Sequence, residues 1–297
     1  MTTDRSEPEA LRDFVEATLG SDIRIEERSR AFGRKSVTWR IKATDGTGFY
    51  LKRHEFNHHF EAEVRALNQW VPLLKSGPWW STPQVVAVSN ELGAVLLTEL
   101  PGQILEDREG APTDISELRT AYKHAGRLAR LLHDADIDLS REIRVQTYTL
   151  EEITRFMEPS RPYLDAATCD WAEEILTADG AWAGLDIVPM HGDYSPRNWI
   201  IERGDPTLNV IDWERSRPGY WVEDIQRMTH DHWLDEPRLG DAFFEGYGRT
   251  PTDAEWRHSN QITLINAVGG VGWAINHNDA WFEQHNRRTV ERIRDIL

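Results

Sequence analysis

The chain has 297 residues, a net charge of −16 and an apolar fraction of 39%. That length supplies ample core for one large domain or two modest ones. The charge excludes partners as anionic as duplex nucleic acid or an acidic membrane. A single cysteine, Cys169, excludes an internal disulfide, and no apolar run reaches the length of a membrane span. The first nine residues hold no apolar signal-peptide core. Together these features predict a cytoplasmic protein. The acidity has two readings, plain solubility or attraction of a cationic small molecule. The 13 tryptophans suit a core, with some available as flat pocket walls.

Residues 6–19 read as a helix, with Ser6 and Glu9 as a capping box and Gly20 as its stop. Residues 23–29 alternate as a strand. Two more strands follow at 37–43 and 49–53, joined by the turn Asp45-Gly-Thr-Gly48. Residues 60–71 place Phe60, Val64, Leu67 and Val71 on one helix face. Residues 75–84, with Pro78 and Pro83, read as a loop, and 85–88 and 94–98 as strands. Pro101-Gly102 closes this block, which predicts one unit at 1–100 and a second at 101–297. The second is mostly helical, with helices expected at 115–135, 150–157, 162–178, 222–233, 239–247, 254–275 and 280–296. A small sheet lobe joined to a helical lobe places a ligand cleft between them.

The helical run is interrupted at 188–214. Residues 199–201 and 208–211 read as an antiparallel hairpin turning at 202–207. Asn198 opens one strand and Asp212 closes the other, so both arrive at the end that carries Asp193. Three oxygen-bearing side chains at one point suit a hard divalent cation and a proton acceptor.

His191-Gly-Asp193, four residues, then Asn198, followed by Ile211-Asp212-Trp213-Glu214, resembles the catalytic signature of the aminoglycoside phosphotransferase and choline kinase family. The resemblance implies an α+β, bilobal, protein-kinase-like fold. A small five-stranded antiparallel lobe (1–100) would bind nucleotide, and a larger helical lobe (101–297) would carry catalysis and the acceptor. It implies ATP, or GTP, and magnesium as cofactors. Asp193 becomes the catalytic base, and Asn198 and Asp212 the magnesium ligands. Lys52 would contact the α- and β-phosphates, oriented by Glu63. Glu61 competes for that place, but the family's Glu-x-x-x-Leu pattern, here Glu63 to Leu67, favours Glu63. Thr98, Glu99 and Leu100 would form the hinge that offers backbone hydrogen bonds to the base. Asp224 would brace the catalytic loop, and His191 would fix that loop rather than carry a proton. Two departures are visible. The covering loop at 29–37 has one glycine, Gly33, and Asp212-Trp213-Glu214 replaces Asp-Phe-Gly. With no long activation segment, a small-molecule acceptor fits better than a protein.

Residues 223–245 hold seven carboxylates against two arginines, interleaved with Trp233, His230 and His232. They read either as a solvated face or as an acidic, aromatic pocket for a polyamine-like sugar. In the second reading Asp231 and Asp235 share a helix face beside Trp233, and Trp273 closes the other side. The expected function is an ATP- and magnesium-dependent O-phosphotransferase acting on a hydroxyl of a small cationic molecule such as an aminoglycoside. A kinase for an amino alcohol or sugar is the near alternative. A silent kinase-like binding protein is disfavoured, because Lys52, Asp193, Asn198 and Asp212 are all present. Antibiotic resistance, biosynthesis and metabolism all remain open as roles.

Three decoys carry less. His54-Glu55-Phe-Asn-His58 matches a zinc-protease helix, but it follows the Lys52 strand too closely for one helix to carry both histidines. Gly33-Arg-Lys35-Ser36 lacks the first glycine of a P-loop. Cys169 reads as a small packed residue.

Overall fold

The structure, a computed structural model, describes residues 7–29, 36–74, 77–106, 114–139, 150–178, 185–230 and 232–297. Helix α1 (Glu7–Leu19) is followed by strands β1 (Ile23–Ser29), β2 (Ser36–Ala43) and β3 (Gly48–His54), helix α2 (Asn57–Arg65), and strands β4 (Trp80–Ser81), β5 (Val85–Ser89) and β6 (Ala94–Thr98). Five of these strands form one antiparallel sheet in the order β1-β2-β3-β6-β5. Strand alternation divides its side chains between two faces. Leu51 and Leu96 meet Leu11 and Val15 of α1. Val95 and Leu97 meet Ala66, Leu67 and Trp70 on the opposite face. Lys52 pairs in register with Val95 and therefore shares that second face, towards α2 and the helical lobe.

The segment expected as a loop at 75–84 contributes a strand. Trp80 and Ser81 run parallel to β10 (Asp205–Val210), which pairs with β9 (Trp199–Glu202), which pairs with β7 (Gln103–Ile104). The four-stranded sheet β4-β10-β9-β7 thus ties the first block to the hairpin between Asn198 and Asp212. Gly102 (φ +106°) makes the approach to β9 possible, since a Cβ there would lie 2.5 Å from the Ile201 carbonyl oxygen. The helix expected at 60–71 ends earlier. After α2 the chain widens into a π-helical turn, Ala66–Trp70, and then tightens into a 3-10 turn containing Pro72.

In the helical lobe α3 (Ile115–His133) lies against α8 (Pro237–Tyr247), with Tyr122, Leu128, Leu132 and Phe243 in the main core. A second core joins α4 (Leu150–Met157), α5 (Ala166–Thr177), α9 (Asp253–Asn276) and α10 (Ala280–Ile296). The expected helix at 162–178 is a 3-10 turn followed by α5, which starts where Asp165 caps the Thr168 amide at 2.8 Å. The expected helix at 222–233 breaks into the 3-10 turn Trp221–Glu223, α6 (Gln226–His230) and α7 (His232–Asp235). Two strands not anticipated, β8 (Ile187–Met190) and β11 (Arg217–Tyr220), pair antiparallel on either side of the segment that carries Asp193 and Asp212 in the chain. No helix among the described residues is long and apolar enough to cross a membrane.

Candidate active site

The loop after β8 is held from behind. Asp224 accepts the amides of His191 at 2.9 Å and Gly192 at 2.7 Å, and its Oδ2 lies 3.1 Å from His133 Nε2. Burial pushes the Asp224 carboxyl up, but His133 and the His191 amide hold it below its ordinary value. Gly192 has φ +79°, and a Cβ there would sit 2.2 Å from the Arg215 carbonyl oxygen. This close approach accounts for glycine where protein kinases carry arginine. His191 places Nε2 3.1 Å from the Ile211 carbonyl oxygen and packs on Trp213. Both contacts serve the loop.

The Asn198 amide group donates to the Asp193 carbonyl oxygen at 2.8 Å, and the Ile211 amide donates to the Asn198 carbonyl oxygen at 3.0 Å. Those two bonds set Asp193, Asn198 and Asp212 around one end of the β9–β10 hairpin. Asp212 takes the left-handed conformation (φ 66°, ψ 60°), an uncommon state for a non-glycine residue. Asp193 is 6% exposed. One of its carboxylate oxygens takes the Arg197 guanidinium, and the other lies 3.4 Å from Arg227 Nε. Burial raises the Asp193 carboxyl, and Arg227 and Arg197 outweigh it, so the group sits below the usual aspartate range.

Across the cleft, Lys52 contacts Asp212 and lies 3.0 Å from Glu63 and 2.9 Å from Glu214. Burial alone lowers its pKa, but Asp212, Glu63 and Glu214 raise it above the ordinary lysine value. Glu61 is exposed and accepts from Asn57. His54 stands behind the lysine, with Nε2 2.9 Å from Glu63 and Nδ1 3.4 Å from Glu214. His59 Nδ1 lies 3.5 Å from the other Glu214 oxygen. The zinc-protease pattern is therefore split. His54 ends β3 and His58 lies on α2, so no single helix presents both.

The residues expected as a hinge begin on the last residue of β6, Thr98. The Thr98 amide donates to Gln84 and the Glu99 amide to Gly48, while the Glu99 carboxylate binds Arg40 and Lys42. Leu100 lies just beyond these bonds, where the chain leaves the sheet.

Among the described residues of the acidic stretch, several carboxylates are engaged elsewhere. Glu223 is buried on Arg217, Asp224 holds the loop, Glu236 pairs with Arg238 and Glu245 with Lys123. Trp233, expected at the acceptor, is 8% exposed and packs on Phe243 and Phe244 in the core. Asp231 lies outside the described residues. Asp235 is exposed at the end of α7. Trp273 is 37% exposed and stacks on His277 at 4.0 Å.

Sequence reasoning gave no place at this site to His54, Glu214, His59, Arg197, Arg227 or His133, although His54 and Glu214 lay within motifs it quoted. His54 was within reach, being two positions from Lys52 on a strand and so on the same face. His59 and Glu63 stand four apart on α2. The contacts of Arg227 and His133 depend on tertiary packing alone.

Lys52 on Asp212, with Asn198 and Asp193 at the same hairpin end, is a donor set whose chemistry suits phosphates, a cation and a hydroxyl proton. A sequence profile of the phosphotransferase enzyme family matches residues 28–258. The chain belongs to that family. It is a phosphotransferase. Solved structures share its fold at low identity. The macrolide 2'-phosphotransferase MphH from Brachybacterium faecium is 19% identical, with 95% of this chain and 98% of that one covered and a TM-score of 0.66. The GDP and kanamycin complex of APH(2")-IIia is 16% identical, covers 95% and 98%, and gives a TM-score of 0.70. A choline/ethanolamine kinase family protein from Mesorhizobium loti is 15% identical, covers 98% and 94%, and gives 0.66. A sequence search of curated proteins found no match.

Proposed function

We propose that this phosphotransferase transfers the γ-phosphoryl group of ATP, or of GTP, to a hydroxyl of a small cationic molecule, with magnesium. The observation that carries this reading is the meeting of Lys52 and Asp212 with Asn198 and the buried Asp193 at the end of one hairpin. The donors at this point are oxygens, which fit a hard divalent cation. Asn198 and Asp212 would hold magnesium, which supplies neutralisation of phosphate charge. Lys52, now paired with carboxylates, would turn to the α- and β-phosphates, and Glu63 would keep it aimed. Asp193 would take the acceptor's hydroxyl proton as its oxygen bonds to the γ-phosphorus. The bond from that phosphorus to the bridging oxygen breaks, and the nucleoside diphosphate leaves. The base would lie against Leu100, beyond Thr98 and Glu99. We keep the lobe boundary near Pro101-Gly102, where the chain leaves the five-stranded sheet.

The acceptor class rests on the net charge of −16 and on the exposed Asp235 and Trp273, not on the 223–245 carboxylates as a group. Arg227 beside Asp193 keeps an acceptor's ammonium groups away from the reacting hydroxyl. The kanamycin named for one solved relative is in keeping with a cationic acceptor. The test is nucleoside diphosphate release with magnesium and ATP or GTP, against kanamycin, a macrolide, choline and simple sugars. Acceptor-dependent release supports the reading. Release stimulated only by choline or a sugar moves it to a metabolic kinase. The absence of nucleotide binding in the wild type would overturn it.

A further inference from the structure

We propose that Arg197 is a catalytic residue that leaves Asp193 and binds the γ-phosphoryl group when nucleoside triphosphate occupies the cleft. This deepens the function proposed above and rests on it.

Three features point to Arg197. Its backbone is fixed. Residue 197 is the middle of the 3-10 turn Pro196–Asn198, whose Asn198 amide donates to Ser195 at 2.8 Å and whose Asn198 side chain binds the Asp193 carbonyl. Only its side chain, 34% exposed, has room to move. Its guanidinium pairs with Asp193 and lies in the field of Asp212 and Glu106. It therefore sits on the group that meets the acceptor, within the electrostatic reach of the group that meets the phosphates. Finally, Asp193 faces a guanidinium on each carboxylate oxygen, Arg197 on one and Arg227 on the other. Oδ1 has no hydrogen-bond partner among the described residues, while Arg197 occupies Oδ2. Transfer of Arg197 to a phosphate would free that second oxygen and return the proton affinity that the guanidinium lowers.

The γ-phosphoryl group gives Arg197 a better partner than the carboxylate. It carries more charge and accepts two parallel N–H bonds from a guanidinium. The exchange is one ion pair for another, with no covalent change. It couples arrival of the triphosphate to release of the base. In the transition state the same guanidinium faces charge spread over the equatorial oxygens, where an arginine is most effective. A diphosphate has no γ-phosphoryl and leaves Arg197 on Asp193.

The test compares wild type, R197Q and R197K, each checked for folding by urea denaturation. Binding of the ATP analogue AMP-PNP and of ADP, both with magnesium, is measured by calorimetry. Loss of a charge-assisted bond to the γ-phosphoryl predicts AMP-PNP binding weakened about tenfold in R197Q, with ADP binding unchanged. Acceptor-free ATP hydrolysis should fall about 100-fold in R197Q and recover partly in R197K. An unchanged AMP-PNP to ADP ratio beside normal wild-type binding overturns the Arg197 assignment alone. So does an R197Q enzyme that hydrolyses ATP as fast as wild type, which would make Arg197 only a clamp on Asp193. Wild type that binds neither nucleotide overturns the function proposed above as well.

Discussion

His133 Nε2 lies 3.1 Å from Asp224 Oδ2, and that carboxylate also receives the amides of His191 and Gly192. Helix α3 thus holds the catalytic loop through one buried side chain. Asp224→Ala would leave two amides and an imidazole without their partner. Breaking a buried pair of this kind costs about 3–5 kcal/mol. The urea midpoint should fall while its slope stays the same. The folded Asp224 pKa is depressed. Its contribution is therefore present above the unfolded aspartate value of about 3.9 and is lost as pH falls through the folded value. The gap between variant and wild type should close towards low pH. Equal midpoints at neutral pH would show that other contacts hold the loop.

His54 has the opposite sign. Burial lowers its pKa, but Glu214 and Glu63 raise it above the ordinary imidazole value. Lys52 opposes the charge from the same side. Stability from His54 is full below the unfolded value of about 6.5 and is lost as pH rises through the folded value. Urea denaturation of wild type and His54→Gln from pH 6 to 9 should show a gap that is widest at pH 6. A gap independent of pH would mean that the imidazole is neutral between its two carboxylates.

Gly192 offers a test confined to backbone shape. Alanine there must hold φ near +79° with its Cβ 2.2 Å from the Arg215 carbonyl oxygen. The left-handed strain alone costs about 1–3 kcal/mol, and relief of the clash must shift the loop that carries Asp193. Gly192→Ala should therefore lose both stability and turnover. Wild-type turnover in that variant would show that the loop tolerates the shift.

The five-stranded sheet was legible because its strands alternate and its turns carry glycine. Asp193, Asn198 and Asp212 were legible as a motif because the hairpin between them sets their separation. Two-residue strands leave no periodic trace, so Trp80–Ser81 and Gln103–Ile104 were invisible until β10 and β9 supplied their partners. The stretch 223–245 is hard to read for another reason. Composition counts charges but not their partners, and Glu223, Glu236 and Glu245 already have arginine or lysine against them. Trp233 shows the same limit. An indole in an acidic helical stretch reads as a pocket wall, yet Phe243 and Phe244 bury it.

Asp193→Asn separates proton transfer from nucleotide binding. The asparagine keeps the shape of the side chain but loses the proton-accepting charge, so turnover with a competent acceptor should drop by about 10²–10⁴-fold. The same change removes the anion that holds Arg197 and faces Arg227. An arginine freed from a carboxylate is more available to a triphosphate, so affinity for AMP-PNP should stay level or rise while ADP affinity is unchanged. Calorimetry on the variant, beside its steady-state turnover, checks both halves. Undiminished turnover would remove Asp193 as the base. Weakened AMP-PNP binding at normal stability would show that Asp193 positions the nucleotide rather than restraining the arginine beside it.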